Sequence, residues 1–563
     1  EGMYYHGRGD QLLRQPTFNS SLFGGASAAL NFSVNNPFLT DQARQTLTQA
    51  GYSTFRLSRA NLDLADVTGY SENDLYRGVL GASSDFKLGG RDYQAEIALT
   101  YGRNDFVDYN QAINQQNFVN AVNVGRNAAG EIVCTTTPTV LATPGFAPVA
   151  DAACRPLNLF GQGVASREAL NYVIQDVTAT SRFEQFVLNA NFGGSPFDIF
   201  GNPVGFNAGF EHRQEKASFT PDSFQQRGLG RSVAIAPVSG KYTLNEVFGE
   251  VLVPLIQPQN DIFIHSMEVF GRGRYVNNTV NGNFFSWAAG GSIEPIRDIR
   301  IRANYTKSFR APSVVELFSP ITNTFTTVTD YCSPGNRNAG PVPDIRNRNC
   351  TAFLSRYPNA TPLAAASATV PGRSGGNPNL QNEEASSYDI GIILQPRFVP
   401  GLTISADYLN IKLRQPIANL TVAQIGSGCF DNPSFNADDP ANGNAFCSQI
   451  RRDATGQVIS DPANPAVNSG FVNGLRYDFE GLQGEIDYRT RLNGLKLPGT
   501  LSIGGFVYFQ GKRLIDITGV APARSDGIVG DPQWQGQARI RYRNESWGVS
   551  TFVNYTGQQL TSR

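Results

Sequence analysis

YQAEIALTY, residues 93–101, sets Tyr93, Ala95, Ile97, Leu99 and Tyr101 against Gln94, Glu96, Ala98 and Thr100. Successive side chains of a strand point to opposite faces, so this alternation predicts a strand with one apolar and one polar face. The rhythm returns at Val204, Phe206, Ala208 and Phe210 against Asn207 and Glu211. It returns again at Ile299, Ile301, Ala303 and Tyr305 against Arg300, Arg302 and Asn304. Arginines confined to one face fit the outside of a soluble sandwich or the wet interior of a barrel, and alternation alone does not choose between the two.

The spacing of the strands chooses. Period-2 segments are read at 54–64, 75–86, 92–102, 182–193, 203–213, 242–253, 262–275, 284–293 and 298–308, then at 387–396, 401–413, 476–489, 500–511, 534–543 and 547–556. Brief turns join them at one end: Leu88-Gly89-Gly90, Glu294 to Arg297, Gln395 to Gly401 and Asn493 to Lys496. The long excursions, 103–181, 214–241, 309–386, 414–475 and 512–533, all fall at the other end when the strands are counted in strict alternation. Short turns on one rim and long loops on the other are the asymmetry of outer-membrane barrels, and connections of this length imply a binding role. The expected fold is therefore an all-β, transmembrane, antiparallel up-and-down β-barrel. A short helix is expected over Pro37–Leu47, near the short-turn rim, started by Thr40 or Asp41.

Composition agrees. The chain of 563 residues carries 57 Gly, 40% hydrophobic and 17% charged residues, with a mean hydropathy of -0.26. Charge is low without hydrophobicity being high, as expected where half of each strand faces lipid and half faces water. No run of about 18 apolar residues suggests a membrane helix, and no export signal is read at Glu1-Gly2-Met3. A formal net charge of -1 with scattered basic residues argues against nucleic acid as a partner.

Six cysteines form three local pairs, Cys134 with Cys154, Cys332 with Cys350, and Cys429 with Cys447. A zinc site would require close Cys or Cys/His pairs, and His6, His212 and His265 lie far away in sequence, so disulfides are the better reading. Disulfides persist in oxidising compartments, which puts these loops outside the cytoplasm. All three pairs fall in the long excursions.

Several stretches resemble the TonB-dependent receptor family, in that family's order along most of the chain. RANYTKSFRAPSVVELF at 302–318 resembles its strand that rises to the exterior and breaks into a loop, with Phe309, Arg310, Pro312 and Glu316 as motif residues. GNPNLQNEEASSYDIGI at 376–392 resembles the return stroke, with Asn377, Pro378, Leu380, Glu383 and Glu384. EVFGEVLVPLI at 246–256, FEGLQGEIDY at 479–488 and CRPLNLFGQGVASREALNYV at 154–173 add support. Read without the family, Pro312 cannot donate to a strand ladder and should end the strand, while Arg310 and Glu316 are placed to anchor the loop at the barrel mouth.

The resemblance implies a barrel of about 22 strands closed by an N-terminal plug. It also implies import of a scarce nutrient, such as a siderophore, cobalamin, a glycan or a peptide, energised by TonB and its inner-membrane complex. The setting it implies is the outer membrane of a Gram-negative bacterium, among lipid and lipopolysaccharide. On this reading residues 1–563 are the barrel domain, with the plug and the last strands lying outside the sequence.

The sequence holds no GxSxG elbow, phosphate-binding loop, HExxH helix or dinucleotide fingerprint. A non-enzymatic protein with no metal and no cofactor is expected. The candidate ligand contacts are exterior aromatics and arginines: Tyr331, Arg337, Arg346, Arg348, Phe353 and Tyr357 around one cysteine pair, and Phe430, Phe435 and Phe446 around another. Rings stack on sugars or catechols and guanidinium groups clamp carboxylates or phosphates, although burial within the loops would explain the same residues. The alternative function is an outer-membrane anchor or adhesin whose loops hold another surface protein.

Overall fold

The computed structural model describes residues 1–12, 31–57, 59, 61–65, 68–137, 140–141, 147–230, 234–260, 263–327, 329–360, 369–458, 467–495, 497–520 and 522–561. Ser58, Ala60, Ile262 and Lys496, assigned above to strands or a turn, lie outside the described residues.

Among the described residues fifteen strands make the wall: β1 (Gly2–Leu12), β2 (Thr68–Leu88), β3 (Arg91–Ile113), β4 (Ile174–Gly194), β5 (Gly205–Thr220), β6 (Val238–Ile256), β7 (Ser266–Asn278), β8 (Gly282–Ile296), β9 (Ile299–Arg310), β10 (Glu383–Leu394), β11 (Leu402–Arg414), β12 (Arg476–Arg491), β13 (Thr500–Asp516), β14 (Trp534–Arg543) and β15 (Gly548–Thr556). Each pairs antiparallel with the next in chain order. The short strand Ala523–Arg524 adds to β13 off this path. This is the up-and-down order expected of a barrel, in which strands pair their amides with each other because lipid offers no partner.

The two faces differ as the alternation predicts. Across six strands the register sets Ala303, Ile390, Tyr408, Leu482, Phe509 and Trp534 side by side, and Ile390 and Leu482 are half exposed. The adjoining row on the other face holds Arg302, Gly391, Asp407 and Gln483. There Arg302 Nη2 donates to Asp407 Oδ1 at 2.6 Å. An apolar row open to the outside and an ion-paired row inside place lipid outside and water or polypeptide within.

Two expectations fail together. Among its described residues the 54–64 stretch forms no wall strand; Thr54–Arg56 is extended, paired with Asn31–Ser33 in a small separate sheet. The first wall strand is Gly2–Leu12, which alternation misses because Tyr4, His6, Arg8 and Asp10 share a face that mixes rings with charge. The first wall strand therefore precedes the predicted helix instead of following it, so the helix is also misplaced. It forms at Asp41–Gln49, with the Thr40 hydroxyl accepting from Ala43 N at 3.2 Å. It stands in the connection between β1 and β2, at the long-loop end rather than the short-turn rim.

The wall strands also outrun their predicted limits. β3 continues from the 102 of the sequence reading to Ile113. Crossing a bilayer takes about 9–11 tilted residues, so the far part of this strand projects beyond the lipid, where Arg103 and Asp105 form an ion pair at 2.7 Å. Periodicity ends at the edge of the membrane while the hydrogen-bond ladder goes on.

Candidate functional site

Above the wall the described residues of the long connections gather into apolar clusters, two of them stapled by disulfides. One gathers Phe32, Leu64, Phe118, Val122, Leu157 and Val173 from the 13–67 and 114–173 connections. The Cys134–Cys154 disulfide staples it. Tyr172 is pushed up to about 12 by burial, against the bond from Asn120 and with help from Asp151.

The second core is built by the connections 311–382 and 415–475. Cys332–Cys350 and Cys429–Cys447 are both bonded, and the two disulfides lie in one apolar cluster with Phe353, Phe430 and Phe435. Helix Pro343–Arg356 comes from one loop and helix Val422–Phe430 from the other. The second starts at a capping box in which Thr421 and Gln424 bond each other's backbone. Arg346 joins the two loops: its Nε and Nη2 donate to Asp431 Oδ1 and Oδ2 at 2.5 and 2.7 Å, with side chains only 6% and 0% exposed. Asn349 Nδ2 adds bonds to the carbonyls of Phe430 and Asn432 at 3.0 and 2.8 Å. Arg452 stacks over the Phe353 ring at 4.7 Å, and burial brings its guanidinium down to about 10. Beside it, burial raises the Asp330 carboxyl.

Most of the candidate contacts are therefore interior. Phe353 and Phe430 have no exposed surface and meet edge to face at 5.8 Å. Phe435 and Arg346 are also buried. Tyr331 gives its hydroxyl to the Ala423 carbonyl at 2.8 Å and lies under Arg346, 4.7 Å from guanidinium carbon to ring centre. Arg337 holds Asn347 Oδ1 and Thr351 Oγ1 at 2.7 and 2.9 Å. Arg348, exposed, donates to the Pro433 carbonyl at 3.1 Å. Tyr357 packs on Phe353 at 5.2 Å. Phe446 keeps partial exposure and lines a cavity of about 480 Å³ between the two loops, with Arg373, Gln449 and Asn377. Asp431 and Asn349 were missed by the sequence reading, and no local signal marks a partner 85 residues away.

The motif residues meet at the foot of this core. β9 ends at Arg310, and Pro312, which follows, cannot extend the ladder. Ser313 caps a one-turn helix, Val314–Phe318, by accepting from Glu316 N, while the Glu316 carboxylate accepts from Ser313 N at 2.7 Å. Arg310 then grips Glu316 through Nη1 and Nη2 at 2.9 and 3.0 Å and Glu383, the first residue of β10, through Nε. Burial would raise the Glu316 carboxyl, but these bonds outweigh it and leave it below the ordinary glutamate value. Lys307 and Glu384 pair at 2.9 Å, and Phe309 packs on Phe284 at 5.5 Å. Asn377 N donates to the Glu316 carbonyl and its side chain to the Phe471 carbonyl. Leu380 is buried, its carbonyl held by Asn281 at 2.6 Å, and exposed Pro378 makes the turn between Asn377 and Leu380. One arginine thus ties the departure and the return of the same loop, 73 residues apart, to the rim of the wall.

The TonB dependent receptor-like, beta-barrel family pattern matches residues 3–562. The chain belongs to the TonB-dependent receptor family. No curated protein sequence matches this receptor. Among solved structures, the siderophore receptor PirA from Acinetobacter baumannii is similar at 10% identity, covering 87% of this chain and 56% of that one, with a TM-score of 0.46. A variant of the ferric enterobactin receptor PfeA from Pseudomonas aeruginosa, in complex with enterobactin, is similar at 11% identity, covering 87% and 55%, with a TM-score of 0.45. The RagAB peptide transporter is similar at 9% identity, covering 87% and 47%, with a TM-score of 0.42. This TonB-dependent receptor chain spans a little over half the length of the first of these proteins.

Proposed function

We propose that this barrel is the outer-membrane portion of a receptor that imports a scarce nutrient into the periplasm, energised by TonB and its inner-membrane complex. The observation that carries the reading is the family match along the whole wall, residues 3–562. The stapled loop core rooted at Arg310 supports it: a rigid exterior surface on a wall whose outer face suits lipid and lipopolysaccharide. The ligand is a small nutrient of the siderophore, cobalamin, glycan or peptide class. Of the candidate contacts, Phe446 and Arg348 are the ones whose surface best suits that role, and Phe446 shares its cavity with Arg373.

Deleting the gene and measuring uptake of labelled ferric siderophores, cobalamin, oligosaccharides and peptides tests this. Loss of one uptake, restored by the gene and weakened by Phe446→Ala, is the expected result. Unchanged uptake of all four would favour a surface anchor instead.

A further inference from the structure

The crown cavity of about 480 Å³ lies where two chain segments from different loops run side by side, 373–377 and 468–472. Gly372–Arg373 pairs there in parallel with Val467–Asn468. Ser469 N donates to the Arg373 carbonyl at 2.7 Å, Phe471 N to the Gly375 carbonyl at 3.4 Å and Leu420 N to the Gly470 carbonyl at 2.7 Å. Gly376 N and Asn377 N donate in turn to the carbonyls of Ser319 and Glu316 at 3.0 and 2.8 Å. Only glycine fits at 376: a Cβ would stand 2.6 Å from Ser319 N and 2.7 Å from the Leu317 carbonyl oxygen. The floor of the cavity is thus fixed in place, and its backbone is largely paired within the crown.

Recognition there falls to side chains. Arg373 is exposed on the cavity and has no ion pair among the described residues. Gln449 and Asn468 line it too, and their side chains make no hydrogen bond among the described residues. Ser374 adds a hydroxyl, and Phe446 and Phe471 add rings that keep partial exposure. No carboxylate, imidazole or sulfur stands among the described lining residues. These groups choose among the nutrient classes. An extended peptide binds by adding a strand to a free backbone edge, and here the backbone is already taken. A ferric chelate with several negative charges would meet one cation. A corrin is too large for a cavity near the small end of the range of ligand sites, about 300–1,000 Å³. A sugar fits: its hydroxyls both donate and accept, matching what primary amides offer, and its C–H face lies well on a ring. A carboxylate on that sugar gives Arg373 a bidentate partner.

We propose that this cavity binds an acidic sugar, a hexuronate unit of a glycan, with Arg373 on its carboxylate, Gln449 and Asn468 on its hydroxyls and Phe446 against its ring. The inference rests on the importer reading above and narrows its cargo from four classes to one.

The test is calorimetric binding of digalacturonate and diglucuronate to the full-length protein in lipid nanodiscs. The methyl ester of each keeps the rings and loses the charge, and citrate keeps carboxylates and loses the rings. At least one uronide should bind about tenfold or more tightly than its ester, the gain expected of a charge-assisted pair, and citrate at equal concentration should not displace it. Arg373→Gln should bring the acid to the affinity of the ester, Arg373→Lys should fall between, and Phe446→Ala should weaken acid and ester alike. Unchanged hydrogen exchange in helix Val422–Phe430 shows that a variant keeps the crown folded. No binding of either uronide, equal affinity of acid and ester in the unaltered protein, an acid preference that survives Arg373→Gln, or displacement by citrate would overturn the proposal. Failure of the wider reading looks different. Uronide bound but never taken up by cells would leave this site standing and count against import, whereas uptake of another cargo without uronide binding would do the reverse.

Discussion

The wall and the loop core above it solve opposite problems with the same kinds of residue. On the wall the large apolar side chains face outward: Leu80 is 77% exposed and Ile97 52%. In the loops Phe118, Phe353 and Phe430 are 0% exposed. Conversely, the membrane-spanning part of the wall carries ion pairs such as Arg302 with Asp407 on its inner side, whereas the loop core buries one, Arg346 with Asp431. The wall is folded for lipid and the crown for water. Substitutions of the same chemistry should therefore carry different costs in the two regions, and the contrast can be broken at four places.

The largest expected effect is at the buried pair. Asp431→Ala leaves the Arg346 guanidinium shut away without its carboxylate, a change that typically costs about 3–5 kcal/mol. The crown should open locally, with hydrogen-exchange protection of helices Pro343–Arg356 and Val422–Phe430 falling by about two to four orders of magnitude, while the wall amides stay protected. Unchanged exchange would mean that the two loops hold together without this pair.

Next comes the wall. Leu482 lies on the lipid face and Gln483 beside it on the inner face. Leu482→Arg should cost about 2–4 kcal/mol in a bilayer, and Gln483→Arg should stay within about 0.5 kcal/mol. Urea unfolding from lipid vesicles reads both. Equal effects would contradict the assignment of the two faces, and with it the two-solvent comparison.

What could be read in advance follows the same division. The lipid-facing rows were legible because a bilayer imposes a strict period of two on every strand that crosses it. Where strands leave the membrane, as at Arg103 in β3 or at His6 and Arg8 in β1, the outer face turns polar, the period fades and the strand ends were set too early or the strand was missed. The motif at Arg310 was legible because Pro312 and Glu316 are its near neighbours and the return stroke brings Glu383. The crown was not. Val342, which opens helix Pro343–Arg356, offers no side-chain cap, and Asp431 gains its meaning only when folding brings Arg346 to it. The aromatics around the cysteines were visible, but which of them face solvent is set by how two loops distant in sequence pack.

A third test separates staple from packing. Cys429→Ala/Cys447→Ala opens a closed loop with a sequence separation of 18 and should weaken the crown by about 3 kcal/mol in the chain-entropy picture. That loss should appear as faster exchange in helix Val422–Phe430. The Cys134–Cys154 core, which belongs to other connections, should not respond. A response there would join two cores that are separate clusters in the fold.

The smallest expected effect lies where wall and crown meet. Burial alone would raise the Glu316 carboxyl, but the bonds from Arg310 and from Ser313 N hold it below its ordinary value of 4.5. A carboxyl depressed in the folded state contributes stability that is fully present above its unfolded pKa and is lost as pH falls through the folded value. Exchange at Val314–Phe318 should therefore, after correction for intrinsic rates, be flat between about pH 7 and 5.5 and rise only below about pH 4. Glu316→Gln removes the charge but keeps an oxygen for Ser313 N, so it should loosen the one-turn helix slightly at neutral pH and flatten the acid response. If the variant kept the full acid response, the Glu316 carboxylate would not be its source, and the bond of Arg310 to Glu316 would not be what steadies the one-turn helix.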